Sequence, residues 1–226
     1  MIEFPGLFCP PPGAYDGAEM AAPAPTLRFE REAWRAGFDL VAGVDEVGVG
    51  PLAGPVTAAV VALRGGRRFG WFRQVRDSKL LSETDRERIA AAIRESVPYA
   101  IGWATHEEID RAGILPARRL CMLRAIEQLP EQPGHIITDA LDLPMPNVRP
   151  VVKGDMLSVA VAAASIVAKV ARDALMLELC EQYPGYAFCR NKGYPTPEHR
   201  RLLATRGPCA IHRRSYAPVA RWSLPL

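Results

Sequence analysis

Two adjacent carboxylates at the end of an apolar run are the first residues in the sequence that could do chemistry. Asp45 and Glu46 follow Leu40–Val44 and precede a glycine-rich turn. Carboxylates held against a hydrophobic core need a compensating cation, which a metal ion would supply. Neighbouring strand residues point to opposite faces, so both side chains could hold one metal only where the strand ends or bulges. The alternative is a solvated hairpin end, where acidic pairs are common.

The turn that follows this pair suits close contact with a ligand. Gly48 and Gly50 make a local distortion of the backbone cheap, and they let backbone N–H groups approach a bound group. The Gly-x-Gly spacing is not a dinucleotide fingerprint, because Pro51 and a second apolar run follow where that fingerprint requires a helix.

Two later segments add polar residues next to apolar runs. Asp139 follows His135–Thr138, although a single acid at a strand end is equally typical of a turn. Ser165, Lys169 and Asp173 are spaced four residues apart and form a stripe along one face of a helix. The residues around Ser165 and Lys169 are apolar on all sides, which indicates a buried helix whose polar groups need partners. The alternative is an exposed ion pair between Lys169 and Asp173.

Positive charge is concentrated at the end of the chain. Residues 1–186 carry 20 Lys and Arg against 24 Asp and Glu, a net of −4, whereas residues 187–226 carry 8 against 1, a net of +7. Cations interleaved with aromatic rings suit a nucleic-acid backbone, with a solvated basic surface as the alternative. The candidates are Arg190, Lys192, Tyr194, His199, Arg200, Arg201, His212, Arg213, Arg214 and Tyr216.

Hydrophobic patterning locates the elements that must position these residues. The chain has 226 residues, 49% of them apolar, which is enough for one sizeable domain or two small ones. Apolar and β-branched runs predict strands over 40–44, 55–63, 99–104, 135–138 and 148–152, the first two forming a hairpin. Helices are predicted from about residue 29, over 82–96 with a capping box at its start, over 116–129 and over 155–182. This order favours an α/β fold, a mixed sheet flanked by helices.

Cysteine usage and the absence of targeting signals predict a cytoplasmic protein. Five cysteines with no Cys-x-x-Cys pair suggest neither a disulfide framework nor a thiolate zinc site. The longest uncharged stretch near the middle, residues 156–168, is shorter than the ~20 residues that cross a bilayer. Residues 1–20 carry acidic but no basic side chains, which is the wrong charge for a secretory signal.

Taken together, these segments resemble the type 2 ribonucleases H, and among them the ribonuclease HII family. The matching motifs are GVDEVGVGPLAGPV, DSKLLS, TDA, KGD, ASIVAKVARD, KGYPTPEH and HRRSYAPV, in the family's order over residues 37–219. The resemblance implies an RNase H-like five-stranded sheet and cleavage of RNA in RNA–DNA hybrids, including nicking 5′ of a single ribonucleotide in duplex DNA, the step that begins ribonucleotide excision repair. We expect a flexible tail rich in Pro, Ala and Gly over 1–28, a catalytic domain over 29–186 and a basic, loop-rich substrate-binding segment over 187–226 packed on it.

The resemblance also implies the catalytic residues. By motif position the four family carboxylates are Asp45, Glu46, Asp139 and Asp173. Carboxylates without nitrogen or sulfur ligands select hard cations such as Mg²⁺ or Mn²⁺. Two such ions would activate a water and stabilise the leaving 3′ oxygen, giving a 5′-phosphate and a 3′-hydroxyl.

Substrate-binding residues follow from the same resemblance. Gly48, Val49 and Gly50 stand where the family usually has Gly-Arg-Gly, a loop that senses the ribose 2′-hydroxyl, so a phosphate contact from arginine is lost. Tyr194 matches the tyrosine that stacks on the next deoxyribose, although Asn191 and Pro195 depart from the family pattern beside it. Ala140 replaces a common glycine after the third carboxylate, a change we expect to be tolerated. The positions implied to hold backbone phosphates are Ser78, Lys79, Ser165 and Lys169.

Two other functions stay open at the level of sequence. A ribonuclease HIII would carry a folded N-terminal extension, and the residues before Asp45 are too few and too polar to form one. A non-catalytic hybrid-binding protein is made possible by Val49, although the presence of all four carboxylates argues against it. We expect a monomer, because one domain can contact the large substrate.

Overall fold

The apolar runs become the strands of one five-stranded sheet in the computed structural model, which describes residues 24–76, 78 and 80–222. The expectations for Lys79 and for the tail before residue 24 lie outside the described residues. The strands are β1 (Leu40–Val47), β2 (Val56–Arg64), β3 (Tyr99–Ala104), β4 (His135–Asp139) and β5 (Val148–Val151), in the order β3-β2-β1-β4-β5. β1 pairs antiparallel with β2 and parallel with β4, which confirms the hairpin and the mixed sheet.

Helices cover both faces of this sheet. They are α1 (Arg28–Arg35), α2 (Glu83–Ser96), α3 (His106–Ala112), α4 (Ile114–Glu127), α5 (Gly154–Leu157), α6 (Val159–Gln182), α7 (Phe188–Asn191), α8 (Pro197–Arg206) and α9 (Ala217–Ala220), with a short 3₁₀ helix at Gly70–Arg73. Among the described residues, no helix is long and apolar enough to span a membrane.

The prediction of one continuous helix over 155–182 is wrong. Ser158 is extended, and its hydroxyl accepts a hydrogen bond from the Val161 N–H at 3.2 Å, so that α6 starts afresh after the single turn of α5. The same hydroxyl donates to Glu30 Oε1 at 2.6 Å, which ties α1 to the start of α6. A serine that caps a helix in this way favours a break over continuation.

Alternation along β1 decides which layer each side chain meets. Leu40, Ala42 and Val44 pack in the cluster that contains residues of α4, whereas Val41 packs with Val161 of α6. Gly43 lets α6 lie directly on β1, since a Cβ at this position would be 2.1 Å from the Ala160 carbonyl carbon. Asp45 therefore faces α6, and Glu46 faces α4.

The basic C-terminal segment is partly internal. His199, His212 and Arg213 are fully buried, and each makes hydrogen bonds inside the fold. Backbone hydrogen bonds join this segment to the loop after β1, from Arg213 N–H to Leu52 O at 2.8 Å and from Gly54 N–H to Ile211 O at 3.0 Å. The charge of this segment is thus divided between a surface and a buried framework.

Candidate active site

Three of the four predicted carboxylates lie around one cavity at the edge where β1 and β4 end. Because these strands are parallel, their carboxyl ends meet at the same edge, and Asp139 is the last residue of β4. β1 pairs regularly with β2 through Val47, so the strand ends here without a bulge. The cavity has a volume of about 270 Å³ and is lined by Asp45, Glu46, Val47, Gly48, Val49, Gly50, Ser78, Asp139, Asp155, Ser165, Lys169 and Tyr194.

Asp45 is the most buried of these carboxylates, with 5% of its surface exposed. Its Oδ1 accepts a hydrogen bond from the Glu46 N–H at 2.8 Å, and its carboxylate also binds the hydroxyl of Ser165. Ser165 Oγ is 3.1 Å from Ser78 Oγ, so both predicted phosphate-binding serines stand beside Asp45. Burial, and after it the charges of Glu46 and Asp139, hold the pKa of Asp45 well above its usual value.

Glu46 points to the opposite face of the sheet, where it meets a cation that the sequence did not single out. Glu46 Oε1 accepts a hydrogen bond from Arg118 Nε of α4 at 2.6 Å. Burial raises the pKa of Glu46 even so, because the attraction of Arg118 offsets only part of the desolvation. Glu46 Oε2 is buried and has no hydrogen-bond partner among the described residues.

Asp139 and Asp155 complete the acidic lining of the cavity. Asp139 Oδ1 accepts a hydrogen bond from the Gly154 N–H at 2.7 Å, which links the end of β4 to α5. Asp155, the second residue of α5, is buried and raises the pKa of Asp45 further. We did not predict Asp155 as a site residue, although it belongs to the KGD motif.

Asp173, the fourth predicted carboxylate, borders a separate, smaller pocket between α2 and α6. Its Oδ1 is 2.7 Å from Lys169 Nζ, and Lys169 itself lines the main cavity. Both side chains are mostly buried, at 13% and 19% exposure, so this pair is not the exposed ion pair considered above. Lys169 therefore lies between the fourth carboxylate and the cavity that the other three line.

The donor set fits hard divalent cations. The lining carboxylates supply oxygen ligands only, which suit Mg²⁺ and Mn²⁺. Burial is the main cause of the raised pKa values of Asp45 and Glu46, and the charge of Asp139 raises both further, so a cation bound here would favour their ionised forms. The unpartnered Glu46 Oε2 offers a free ligand atom. Within the described ranges, no three acidic, His or Cys side chains already converge as a metal cage, because Arg118 and Lys169 hold two of the carboxylates.

The predicted substrate residues that the structure describes line the same cavity. Gly48 has a φ of 90°, a left-handed conformation that favours glycine, and a Cβ there would lie 2.3 Å from Arg172 Nε. A Cβ on Gly50 would be 3.9 Å from the ring of Tyr194, so the glycine loop and the tyrosine are neighbours. Arg172 is fully buried, with its guanidinium 5.8 Å from the centre of the Tyr194 ring.

Comparison with known proteins agrees with this arrangement. Residues 42–219 match the family model described as ribonuclease HII. The chain is 49% identical over 197 residues to ribonuclease HII of Myxococcus xanthus, covering 85% of this chain and 66% of the relative. It is 47% identical over 191 residues to ribonuclease HII of Moorella thermoacetica, covering 83% and 91%. The crystal structure of ribonuclease H2 from Pyrococcus horikoshii matches with a TM-score of 0.69 at 26% identity, covering 81% and 96%.

Proposed function

The chain belongs to the ribonuclease HII family, and from this premise we propose that it is a metal-dependent endoribonuclease. It cleaves the RNA strand of RNA–DNA hybrids and nicks 5′ of a single ribonucleotide in duplex DNA, leaving a 5′-phosphate and a 3′-hydroxyl. The observation that carries the proposal is the cavity in which Asp45, Glu46 and Asp139 meet Lys169 and Tyr194. This cavity combines an excess of carboxylates with groups suited to a phosphate backbone and a sugar ring.

Asp45, Glu46, Asp139 and Asp173 are the residues that would hold two divalent ions, Mn²⁺ or Mg²⁺. When bound, these ions activate the attacking water and neutralise charge on the leaving 3′ oxygen. The chain fixes its carboxylates beforehand: Gly154 orients Asp139, Ser165 orients Asp45 and Arg118 orients Glu46.

Further polar residues, taken from the same resemblance, would bind the nucleic acid. Ser78, Lys79, Ser165 and Lys169 would bind backbone phosphates on either side of the cut. Tyr194 would stack on the deoxyribose that follows the ribonucleotide, and the backbone of Gly48, Val49 and Gly50 would read the 2′-hydroxyl. We propose that the protein acts on such duplexes as a monomer.

Nicking of a duplex with one ribonucleotide tests this function directly. An end-labelled duplex is incubated with the protein in Mn²⁺ or in EDTA, and products are resolved on a denaturing gel. We expect a nick 5′ of the ribonucleotide in Mn²⁺ only, and roughly 100-fold or greater loss of rate in Asp139→Asn. Asp142→Asn is the matched control, because Asp142 is exposed and lies three residues further along the chain.

Val49 supports a second candidate, a hybrid-binding protein that does not cut. The loop lacks the arginine usual in the family, so a contact to phosphate is missing. Binding of the ribonucleotide duplex without metal-dependent nicking would favour this candidate over the endonuclease. Nicking that depends on Mn²⁺ and on Asp139 would exclude it.

A further inference from the structure

Arg213 lies beneath the Gly48–Gly50 loop and is fully buried. Its guanidinium donates three hydrogen bonds to backbone carbonyls, from Nη2 to Gly48 O at 2.7 Å, from Nη1 to Val49 O at 3.0 Å and from Nε to Gly54 O at 2.9 Å. No acidic side chain among the described residues forms an ion pair with it. A buried cation that donates to three carbonyls of one loop is placed to set the conformation of that loop.

Tyr216 reinforces this contact at Val49. Its hydroxyl donates to Val49 O at 2.6 Å and accepts from Arg213 Nη1 at 3.1 Å. The Val49 carbonyl therefore has two donors, so both of its lone pairs are used. The peptide group after Val49 is held from the interior of the protein.

Because the peptide group is planar, fixing the carbonyls of Gly48 and Val49 also fixes the direction of the N–H groups that follow them. In a planar trans peptide the C=O of one residue and the N–H of the next point in opposite directions. With the carbonyls of Gly48 and Val49 drawn inward to Arg213, the N–H groups of Val49 and Gly50 point outward, on the side where these residues line the cavity. Within the described part of the chain, neither N–H donates a hydrogen bond to a backbone or side-chain acceptor.

Arg172 secures the neighbouring part of the same loop. It donates to Pro55 O at 3.1 Å and Ala53 O at 3.3 Å, and its Nη1 donates to Lys192 O at 3.0 Å. Arg172 thus fixes the far end of the glycine loop to the segment that carries Tyr194. Arg213 also reaches this end through Gly54 O, and it alone of the two donates to the carbonyls of Gly48 and Val49, beside the free N–H groups.

We infer that Arg213 is a positioning residue for ribose recognition: it presents the N–H groups of Val49 and Gly50 to the oxygen of a ribose 2′-hydroxyl. Selection of ribose over deoxyribose then depends on Arg213 and not on the side chain at position 49. The inference rests on the proposed function, because it names how that site tells its substrate from plain DNA. Lysine cannot replace the arginine, since a single ammonium does not span the two carbonyls as the planar guanidinium fork does.

The test measures preference for ribose separately from cleavage. Fluorescence anisotropy in EDTA gives the Kd for a duplex with one ribonucleotide and for the all-DNA duplex of the same sequence. The preference is the ratio of the Kd for all-DNA duplex to the Kd for the ribonucleotide duplex, and we expect it to exceed 1 for wild type. Arg213→Lys should lower this ratio by about 5- to 10-fold, which corresponds to the loss of one aligned hydrogen bond. The Kd for all-DNA duplex should stay unchanged. Arg214→Lys is the matched control, because Arg214 is the exposed neighbour of Arg213.

Two further variants keep the test decisive. Tyr216→Phe removes one donor to Val49 O and should reduce the preference by roughly 3-fold, so it replaces Arg213→Lys if that protein fails to fold by circular dichroism. Val49→Ala should keep the wild-type preference. The inference is overturned if wild type shows no preference, if folded Arg213→Lys keeps it within 2-fold, or if Val49→Ala abolishes it. Nicking in Mn²⁺ is scored separately, so loss of cleavage with retained preference rejects the proposed function alone.

Discussion

Acid should destabilise this protein through a buried histidine pair in the C-terminal segment. His199 Nδ1 is 2.9 Å from Tyr194 O, and the Nε2 atoms of His199 and His212 are 3.1 Å apart. His212 Nδ1 accepts the Cys209 N–H at 3.0 Å. These partners fix one neutral tautomer for each ring: His199 carries its proton on Nδ1 to donate to the carbonyl, and His212 carries its proton on Nε2 to donate to His199.

A further proton on His212 Nδ1 would break the hydrogen bond from the Cys209 N–H and leave only the weakly accepting Cys209 Sγ, at 3.1 Å, as its acceptor. Burial, and after it the neighbouring His199, lower the pKa of His212 to about 4, with Arg214 and His106 acting in the same direction and the bond from Cys209 opposing them. The unfolded chain takes up the proton near the ordinary value of about 6.5. Between these two values the unfolded state binds more protons, so stability is complete above pH 6.5 and falls as the pH drops towards 4. At pH 4.5 the loss amounts to about 2.5 kcal/mol.

Urea unfolding at several pH values measures this loss. Carboxyl groups also contribute to the pH dependence in this range. The relevant quantity is therefore the difference in free energy of unfolding between wild type and His212→Asn, in which their contribution cancels. The amide oxygen of asparagine can accept the Cys209 N–H as Nδ1 does, without titrating. We expect the advantage of wild type over the variant to shrink by about 2.5 kcal/mol from pH 7.5 to pH 4.5. A difference for His212→Asn that is constant with pH would refute the reasoning.

Three other substitutions test the fold and the site. Gly43→Ala should destabilise the protein by about 3 kcal/mol or more, because the new Cβ meets the α6 backbone, whereas Gly70→Ala, with no atom within 4 Å of its Cβ, should be tolerated; chemical denaturation compares them. Asp45→Asn should raise the Tm in EDTA by roughly 2–4 °C, since it removes a carboxylate whose pKa is raised by burial. It should also abolish the Tm increase that Mn²⁺ gives wild type. A lower Tm in EDTA would contradict this prediction. Val49→Arg should tighten binding of the ribonucleotide duplex and steepen the slope of log Kd against log salt by about 1. Equal Kd values and equal slopes for wild type and Val49→Arg would show that position 49 contacts no phosphate.

The fold was predictable where a local pattern matched a single element. β-branched runs located all five strands, and the apolar surroundings of Ser165 predicted that α6 is buried. α3 was missed although its start is visible in the sequence, since Thr105 and Glu108 form a capping box there. The start of α6 was missed because composition favoured a continuous helix, and only the contact of Ser158 with Glu30 shows why it breaks there.

The site was predictable in its motifs and not in the contacts that support them. Arg118 reaches Glu46 over a separation of 72 residues, and Arg213 reaches Gly48 over 165. No spacing or periodicity reports a contact at such separation, since it exists only once α4 and the C-terminal segment have packed. The burial of Arg213 was not predictable for this reason: its donors are matched by loop carbonyls that the sequence places far away.

These supporting contacts leave two sets of incompletely balanced charge next to each other. In the cavity, carboxylates outnumber their cationic partners. Burial and the charge of the neighbouring Asp139 raise the pKa values of Asp45 and Glu46. Beneath the glycine loop, Arg172 and Arg213 are buried against carbonyl groups instead of carboxylates, and burial lowers the pKa of both. A hybrid substrate and its divalent cations supply the charges of opposite sign. The cations neutralise the carboxylates, and the phosphate backbone is attracted to the arginines. Binding of metal and of nucleic acid should therefore reinforce each other, so that Mn²⁺ tightens duplex binding by wild type more than by Asp139→Asn.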